Sequence, residues 1–207
     1  MATDRPVWQP RPRPDPWAQR TPVAGVAVAL LRPVGLLAVR CAPARTRPAA
    51  FEPLLPVALG VACPAAVGDI VPAGDGLLCV RTRPSELLVL APGGGGGTLE
   101  ALQQAADRWT AGLVSAVRVD DAWAVLQLRG PRVRGLLHRL ADADSLPVQP
   151  GRASRLRCAD LPATLLWRAS QDYLLLVDAA LADTLALWID ELAPALDSAG
   201  APIRSLA

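Results

Sequence analysis

Residues 121–140 read DAWAVLQLRGPRVRGLLHRL, and the fold turns on how this stretch divides. Ala122–Leu128 is an apolar run with Gln127 its one polar member, and its length suits a strand rather than a helix. Gly130-Pro131 ends it, and a proline at a first helical turn opens a helix. Val133, Leu136, Leu137 and Leu140 then recur at i, i+3, i+4 and i+7, the period of one buried helix face. The unit is a strand that passes through a Gly-Pro turn into an amphipathic helix.

The same reading extends outward. Val114–Val119 predicts a strand upstream. Downstream, Ser154–Ala159 alternates, with Leu156 and Cys158 on one face and Arg155 and Arg157 on the other. Ala163–Trp167 and Tyr173–Val177 predict a hairpin around Ala169-Ser170-Gln171-Asp172. A last helix runs from about Ala179 to Leu192, with Leu181, Leu185, Trp188 and Leu192 placed inward by their spacing. This half reads strand–strand–helix–strand–strand–strand–helix.

The first half offers Gly25–Leu31 and Leu36–Cys41 as strands joined across Arg32-Pro33-Val34-Gly35. Phe51–Leu59 predicts a short helix ending at Gly60 and confined by Pro53 and Pro56. Leu77–Val80 and Glu86–Leu90 pair around Arg83-Pro84-Ser85. After the run Gly93–Gly97, Thr98 is placed as the N-cap of a helix to Trp109, with Leu99, Leu102, Ala106 and Trp109 on one face. The expectation is an α+β domain over residues 23–207. It would be a degenerate duplication of two β-β-α-β-β-β-α halves, about 23–112 and 113–195.

Residues 1–22 stand apart. Six prolines and four arginines between residues 4 and 22 rule out a helix or an interior strand, because proline lacks the amide donor. An extended arm is expected, and Trp8 and Trp17 within it suit docking on a partner. The apolar run Val23–Leu31 is too short to cross a bilayer and is cut by Arg32 and Pro33, so the chain reads as soluble and cytoplasmic.

The core has to be built from Leu, Val and Ala, since apolar residues are 52% of the chain but aromatics only 4%. The net charge of +2 hides a split. Residues 1–50 hold eight arginines against Asp4 and Asp15, which leaves the remainder mildly acidic and unlike a nucleic-acid-binding fold. The chain has no lysine, which excludes Schiff-base and P-loop lysine chemistry.

Other candidates for chemistry fall away in turn. Cys41, Cys63, Cys79 and Cys158 contain no C-x-x-C pair, and His138 is the one histidine, so a zinc site is not expected; each cysteine reads as a small buried hydrophobe. A strand followed by Gly93–Gly97 and a helix resembles a dinucleotide loop, but Thr98 stands where the third glycine of G-x-G-x-x-G belongs. His138 falls off the apolar stripe and reads as a surface side chain. Asp120 and Asp121 are adjacent and would point to opposite faces of a strand, so a turn role is expected. The residues offer no catalytic, cofactor-binding or metal site.

Asp121–Pro131 followed by the helix Arg132–Leu140 resembles the gamma subunit of heterotetrameric sarcosine oxidase, in which an Asp-rich turn leads to an apolar strand ending in Leu-x-Gly-Pro. Phe51 through Ala58-Leu59-Gly60 to Cys63-Pro64 is similar to that family's early "ALG…P" segment. Pro84-Ser85-Glu86-Leu87-Leu88-Val89-Leu90, within Leu77–Pro92, resembles its "GPDEWLLL" strand pair. Leu165-Leu166-Trp167-Arg168 and Asp172–Val177 resemble its closing hairpin. The resemblance spans about residues 26–193. It departs at Arg118-Val119-Asp120-Asp121, where the family has Asp-Val-Ser-Asp, and at Leu87, where it has Trp.

The resemblance implies a fold related to the folate-binding domain of the glycine-cleavage aminomethyltransferase. It also implies a non-catalytic, structural chain without a cofactor of its own. Its alpha, beta and delta partners would carry FAD, FMN, NAD, tetrahydrofolate and zinc and would oxidise sarcosine or another N-methyl amine. A stand-alone folate-binding protein of the same fold is the alternative, and a nucleic-acid adaptor using the arm is a third reading.

Overall fold

The structure is a computed structural model that describes residues 25–41, 52–110 and 113–198. The arm of residues 1–22, with Trp8 and Trp17, and Phe51 lie outside the described residues. The first half contains β1 (Ala27–Leu30), β2 (Val34–Cys41), α1 (Leu54–Leu59), β3 (Ile70–Pro72), β4 (Leu78–Arg83), β5 (Glu86–Pro92) and α2 (Gly96–Asp107). The second contains β6 (Val114–Arg118), β7 (Trp123–Arg129), α3 (Val133–Leu140), β8 (Arg152–Cys158), β9 (Leu161–Ala169), β10 (Asp172–Asp178), α4 (Ala182–Leu192) and the short α5 (Ala195–Ser198).

These strands form two antiparallel sheets, ordered β3-β4-β5-β2-β6 and β1-β7-β10-β9-β8. The two orders are equivalent. Each sheet takes the third, fourth, fifth and second strands of one half and closes with the first strand of the other. The expected pairing of neighbours at residues 25–41 is therefore corrected. β1 lies on β7 and β2 lies between β5 and β6, so the chain changes sheets at Leu31–Pro33, and Val34 and Gly35 already belong to β2.

Side-chain alternation explains the layering. On β2 and β5, Leu37, Val39, Leu87, Val89 and Ala91 face a core shared with Leu54, Leu99 and Leu102 of α1 and α2. On β7 and β10, Leu126, Leu128, Tyr173, Leu175 and Val177 face Val133, Leu136, Leu185 and Ile189 of α3 and α4. The opposite faces meet each other: Leu36, Val80, Leu88 and Leu90 pack against Val125, Leu166, Leu174 and Leu176. The layers run helix, sheet, sheet, helix. Strands covered on both faces carry continuous apolar runs, and this accounts for Leu87–Ala91 and Tyr173–Val177.

Two glycines hold close approaches that no side chain would permit. A Cβ on Gly130, at φ +127°, would meet the Gly25 carbonyl oxygen at 2.1 Å, which explains the turn before Pro131. A Cβ on Gly35 would meet the Gly94 oxygen at 2.3 Å, so the glycine run folds over the start of β2.

Several expectations are corrected. β3 gave no strand signal, being three residues long. Thr98 lies inside α2, whose N-cap is Gly95 in the left-handed region at φ +46°; glycine adopts that conformation readily, so the helix starts earlier. Trp109 falls just past the end of α2 and packs half-buried against its core. The final helix opens with a 3-10 turn over Ala179–Leu181, and the buried face of α4 lies beside the expected stripe rather than on it. Ala182, Leu185, Ala186 and Ile189 are buried, whereas Trp188 is 44% exposed and Leu181 and Leu192 are half-buried. The α3 stripe of Val133, Leu136, Leu137 and Leu140 is buried as its spacing requires.

Replacing Leu136 or Ile189 by Asp should unfold the domain, since a lone buried carboxylate costs several kcal/mol, comparable with about 5–15 kcal/mol of total stability. His138→Ala lies on an exposed face and should shift stability by about 0.5 kcal/mol or less, and Trp188→Asp, at a half-exposed position, should cost less than either core change. Urea titrations of the four variants check this; equal midpoints would refute the assigned helix faces.

Candidate functional site

The apolar layer between the sheets ends in a polar mouth, because the strands on both sides change composition there. On the face where Leu36, Val80 and Leu88 are buried, alternation continues to Arg40, Thr82 and Glu86. Across the gap, the face of Val125 and Leu166 continues to Trp123 and Thr164, and Arg155 and Arg157 of β8 stand beside them. Three cavities adjoin one another along this mouth. One of about 340 Å³ lies among Gly68, Arg81, Thr82, Arg152, Arg155 and Thr164. A second of about 110 Å³ lies among Arg40, Arg83, Glu86, Trp123, Arg155 and Thr164. A third of about 270 Å³ is bounded by Trp123, Arg155, Arg157, Pro162 and Thr164. Arg155 and Thr164 border all three, and Thr164 is the buried polar residue among the described ones.

The arginines of the mouth divide into two groups. Arg81 is structural: its guanidinium donates to Glu52 at 3.1 Å and to the carbonyls of Pro64, Ala65 and Pro84 at 3.2, 3.0 and 2.9 Å. Arg152 pairs with Asp69 and donates to the Val67 carbonyl at 3.2 Å, which ties β8 to the opposite sheet. Arg40 donates to Glu86 at 2.8 Å. By contrast, Arg83 and Arg155 form no ion pair among the described residues. The middle cavity therefore holds three arginines against the single acid Glu86.

Burial opposes the charge on Glu86. Hydrogen bonds from Thr82 and Arg40 and the charges of Arg40 and Arg83 outweigh it and hold the carboxyl below its ordinary range. The equivalent place in the other sheet repeats this clamp. There Arg129 lies opposite Asp172 in register, just as Arg40 lies opposite Glu86. Burial again disfavours the charge of Asp172, and Gln127, Arg168 and Arg129 again lower its pKa.

The residues weighed from the sequence lie elsewhere. His138 is exposed on α3, in the layer remote from the mouth. Asp120 and Asp121 share a 3-10 turn, where Asp120 accepts from the Leu36 amide and the Arg118 guanidinium, a turn-holding role. Gly93 and Gly94 donate their amides to the carbonyls of Pro33 and Ala91 at 3.0 Å each, so those donors are already engaged. Cys41, Cys79 and Cys158 are buried and Cys63 is half-buried, which corrects the expectation for that residue. Desolvation pushes the Cys79 and Cys158 thiols up to about 12 and Cys63 to about 11, away from thiolate chemistry. Among the described residues, no three His, Cys, Asp or Glu side chains assemble for a metal. No described helix is long and apolar enough to cross a membrane. The sequence carried a sign of the mouth in the Arg155/Arg157 alternation on β8, but nothing in it showed that this polar face turns toward the other sheet.

The architecture has solved counterparts. This chain is similar to a chain of heterotetrameric sarcosine oxidase. That structure, from Corynebacterium sp. U-96 in complex with pyrrole 2-carboxylate, superposes with a TM-score of 0.70 at 25% identity. The match covers 88% of this chain and 89% of that one. Glycine cleavage system aminomethyltransferase T from Bartonella henselae matches with a TM-score of 0.63 at 15% identity over 84% of this chain, a likeness of fold. This chain spans 47% of that protein. No protein-family profile and no curated protein sequence matches the chain.

Both clamped carboxylates have folded-state pKa values below their unfolded ones, so their contribution is fully present above about pH 5 and is lost as pH falls further. Melting temperatures measured from pH 7 down to about pH 3 should fall more steeply for the natural protein than for a Glu86→Gln/Asp172→Asn double variant. Parallel curves would exclude these two groups as the source of acid sensitivity.

Proposed function

We propose that the chain is a non-catalytic structural subunit of a multi-subunit, flavin-dependent oxidase of sarcosine or another N-methyl amine, in the place of a gamma chain. The single observation that carries this reading is the end-to-end match. Nearly the whole of this chain superposes on nearly the whole of one chain of a heterotetrameric sarcosine oxidase. Its alpha, beta and delta partners would hold FAD, FMN, NAD, tetrahydrofolate and zinc in the cytoplasm, and neither nucleic acid nor membrane would be a partner. The equivalent strand orders support a duplicated, folate-binding-domain-like fold with halves at about 23–112 and 113–195.

The likeness to the aminomethyltransferase favours a second reading, a stand-alone folate-binding protein of the same fold. Purification of the native protein separates the two. Co-elution with larger yellow chains is expected, together with a flavin-free spectrum and no amine oxidation for the chain expressed alone. A colourless monomer that binds folate would support the second reading, and a stoichiometric flavin on the isolated chain would overturn the first.

The arm is assigned to assembly. Trp and Arg are frequent interface anchors, and a proline-rich segment loses less entropy on docking than a flexible tail. Deletion of residues 1–22 should leave the melting temperature unchanged and weaken association with the partner chains on size-exclusion chromatography. Unchanged association would reduce the arm to a tail.

A further inference from the structure

We propose that the mouth between the sheets docks an extended acidic segment of a partner chain along β8, its alternate carboxylates on Arg155 and Arg157. This rests on the reading of the chain as one member of an assembly, and it names the surface and the chemistry of the contact.

Charge is the first argument. Arg83 and Arg155 form no ion pair among the described residues. Arg157 has Asp160 at 3.8 Å, with the aspartate side chain 97% exposed, and donates to the Asp160 carbonyl at 2.6 Å. The one acid in the middle cavity, Glu86, is already bound by Arg40 and Thr82. Cationic side chains that outnumber the acids of a concavity favour an anionic occupant.

Spacing is the second. Arg155 and Arg157 are alternate residues of one strand and project from the same face, about 6.5–7 Å apart along it. Alternate residues of any extended chain repeat at that distance, so carboxylates at i and i+2 match both guanidiniums. Two of the cavities follow one another along β8, one lined by residues 152–155 and the other by residues 155–157, and they meet at Arg155, which suits a strand-like occupant. A compact anion would reach one of them.

The third argument is the backbone. The outer edge of β8 is bonded at both ends: the Ala153 amide donates to Gly68 at 2.7 Å, and the Ala159 amide to Leu140 at 2.6 Å. Between them, Arg155 forms no backbone hydrogen bond on that edge among the described residues. An extended segment laid along the cationic face can therefore also take main-chain bonds at Arg155, as in strand addition to an open edge.

Fluorescence anisotropy of the full chain tests this, with a short fluorescein-labelled peptide alternating glutamate and leucine as the probe. The glutamate peptide should bind about tenfold more tightly than its glutamine counterpart, and its affinity should fall as salt rises. Arg155→Ser/Arg157→Ser should weaken it by about tenfold, while Arg139→Ser, exposed on α3, should leave it unchanged. Arg155→Glu/Arg157→Glu should instead prefer a lysine peptide. Equal affinity in the natural protein and the serine variant would overturn the proposal. So would displacement of the peptide by millimolar pyrophosphate, or tighter binding of a single-stranded oligothymidine. The titration uses the chain without partners, so its outcome is separate from co-purification. Co-elution without peptide binding would remove only the docking site, and peptide binding without co-elution would remove only the subunit reading.

Discussion

Contact between the two sheets is the constraint on which the rest of the structure depends. Leu36, Val80, Leu88 and Leu90 meet Val125, Leu166, Leu174 and Leu176 in a layer that belongs to neither half alone. Burying an aliphatic side chain of this size contributes about 1.5–3 kcal/mol, so eight of them outweigh any single polar contact in the molecule. Once that layer forms, the reverse faces of the same strands remain apolar and exposed. The helices α1 and α2 on one side and α3 and α4 on the other cover them.

The exchange of first strands makes the contact obligatory. β1 pairs with β7 and β6 pairs with β2, so neither sheet is complete without a strand from the other half. Asp120 strengthens this seam, because its carboxylate receives the Leu36 amide of β2 from a turn that belongs to the second half. The bridge between Asp69 and Arg152 ties the opposite margin. A molecule stitched in this way has few independently movable parts.

Polar residues collect where the inter-sheet layer runs out. The clamps on Glu86 and Asp172 occupy equivalent register positions, each an acid at the start of a fifth strand with an arginine of the second strand opposite. Their surroundings differ. Asp172 is enclosed by Gln127, Arg129 and Arg168, whereas Glu86 borders a concavity with arginines in excess. Among the described residues, no cysteine and no histidine lines that concavity.

The sequence by itself determined the elements with strong periods. The stripe from Val133 to Leu140, the strand before it and the hairpin from Ala163 to Val177 were legible because each alternation or helical repeat reflects a side that must be buried. It also specified an aliphatic core and a chain without lysine. It did not determine which strands are partners, since β1 and β2 are neighbours in sequence but face similar apolar surfaces in different sheets. It missed β3, too short to show a period, and misplaced Trp188, because apolar residues lie on more than one face of α4 and their spacing does not say which face is covered. The mouth was the least legible feature. Arg40, Thr82 and Glu86 of one sheet and Trp123, Arg155 and Thr164 of the other are far apart in the chain, and only the stacking of the two sheets brings them to one opening. Local periodicity records that a face is buried or exposed; the surface across from it is decided by long-range packing.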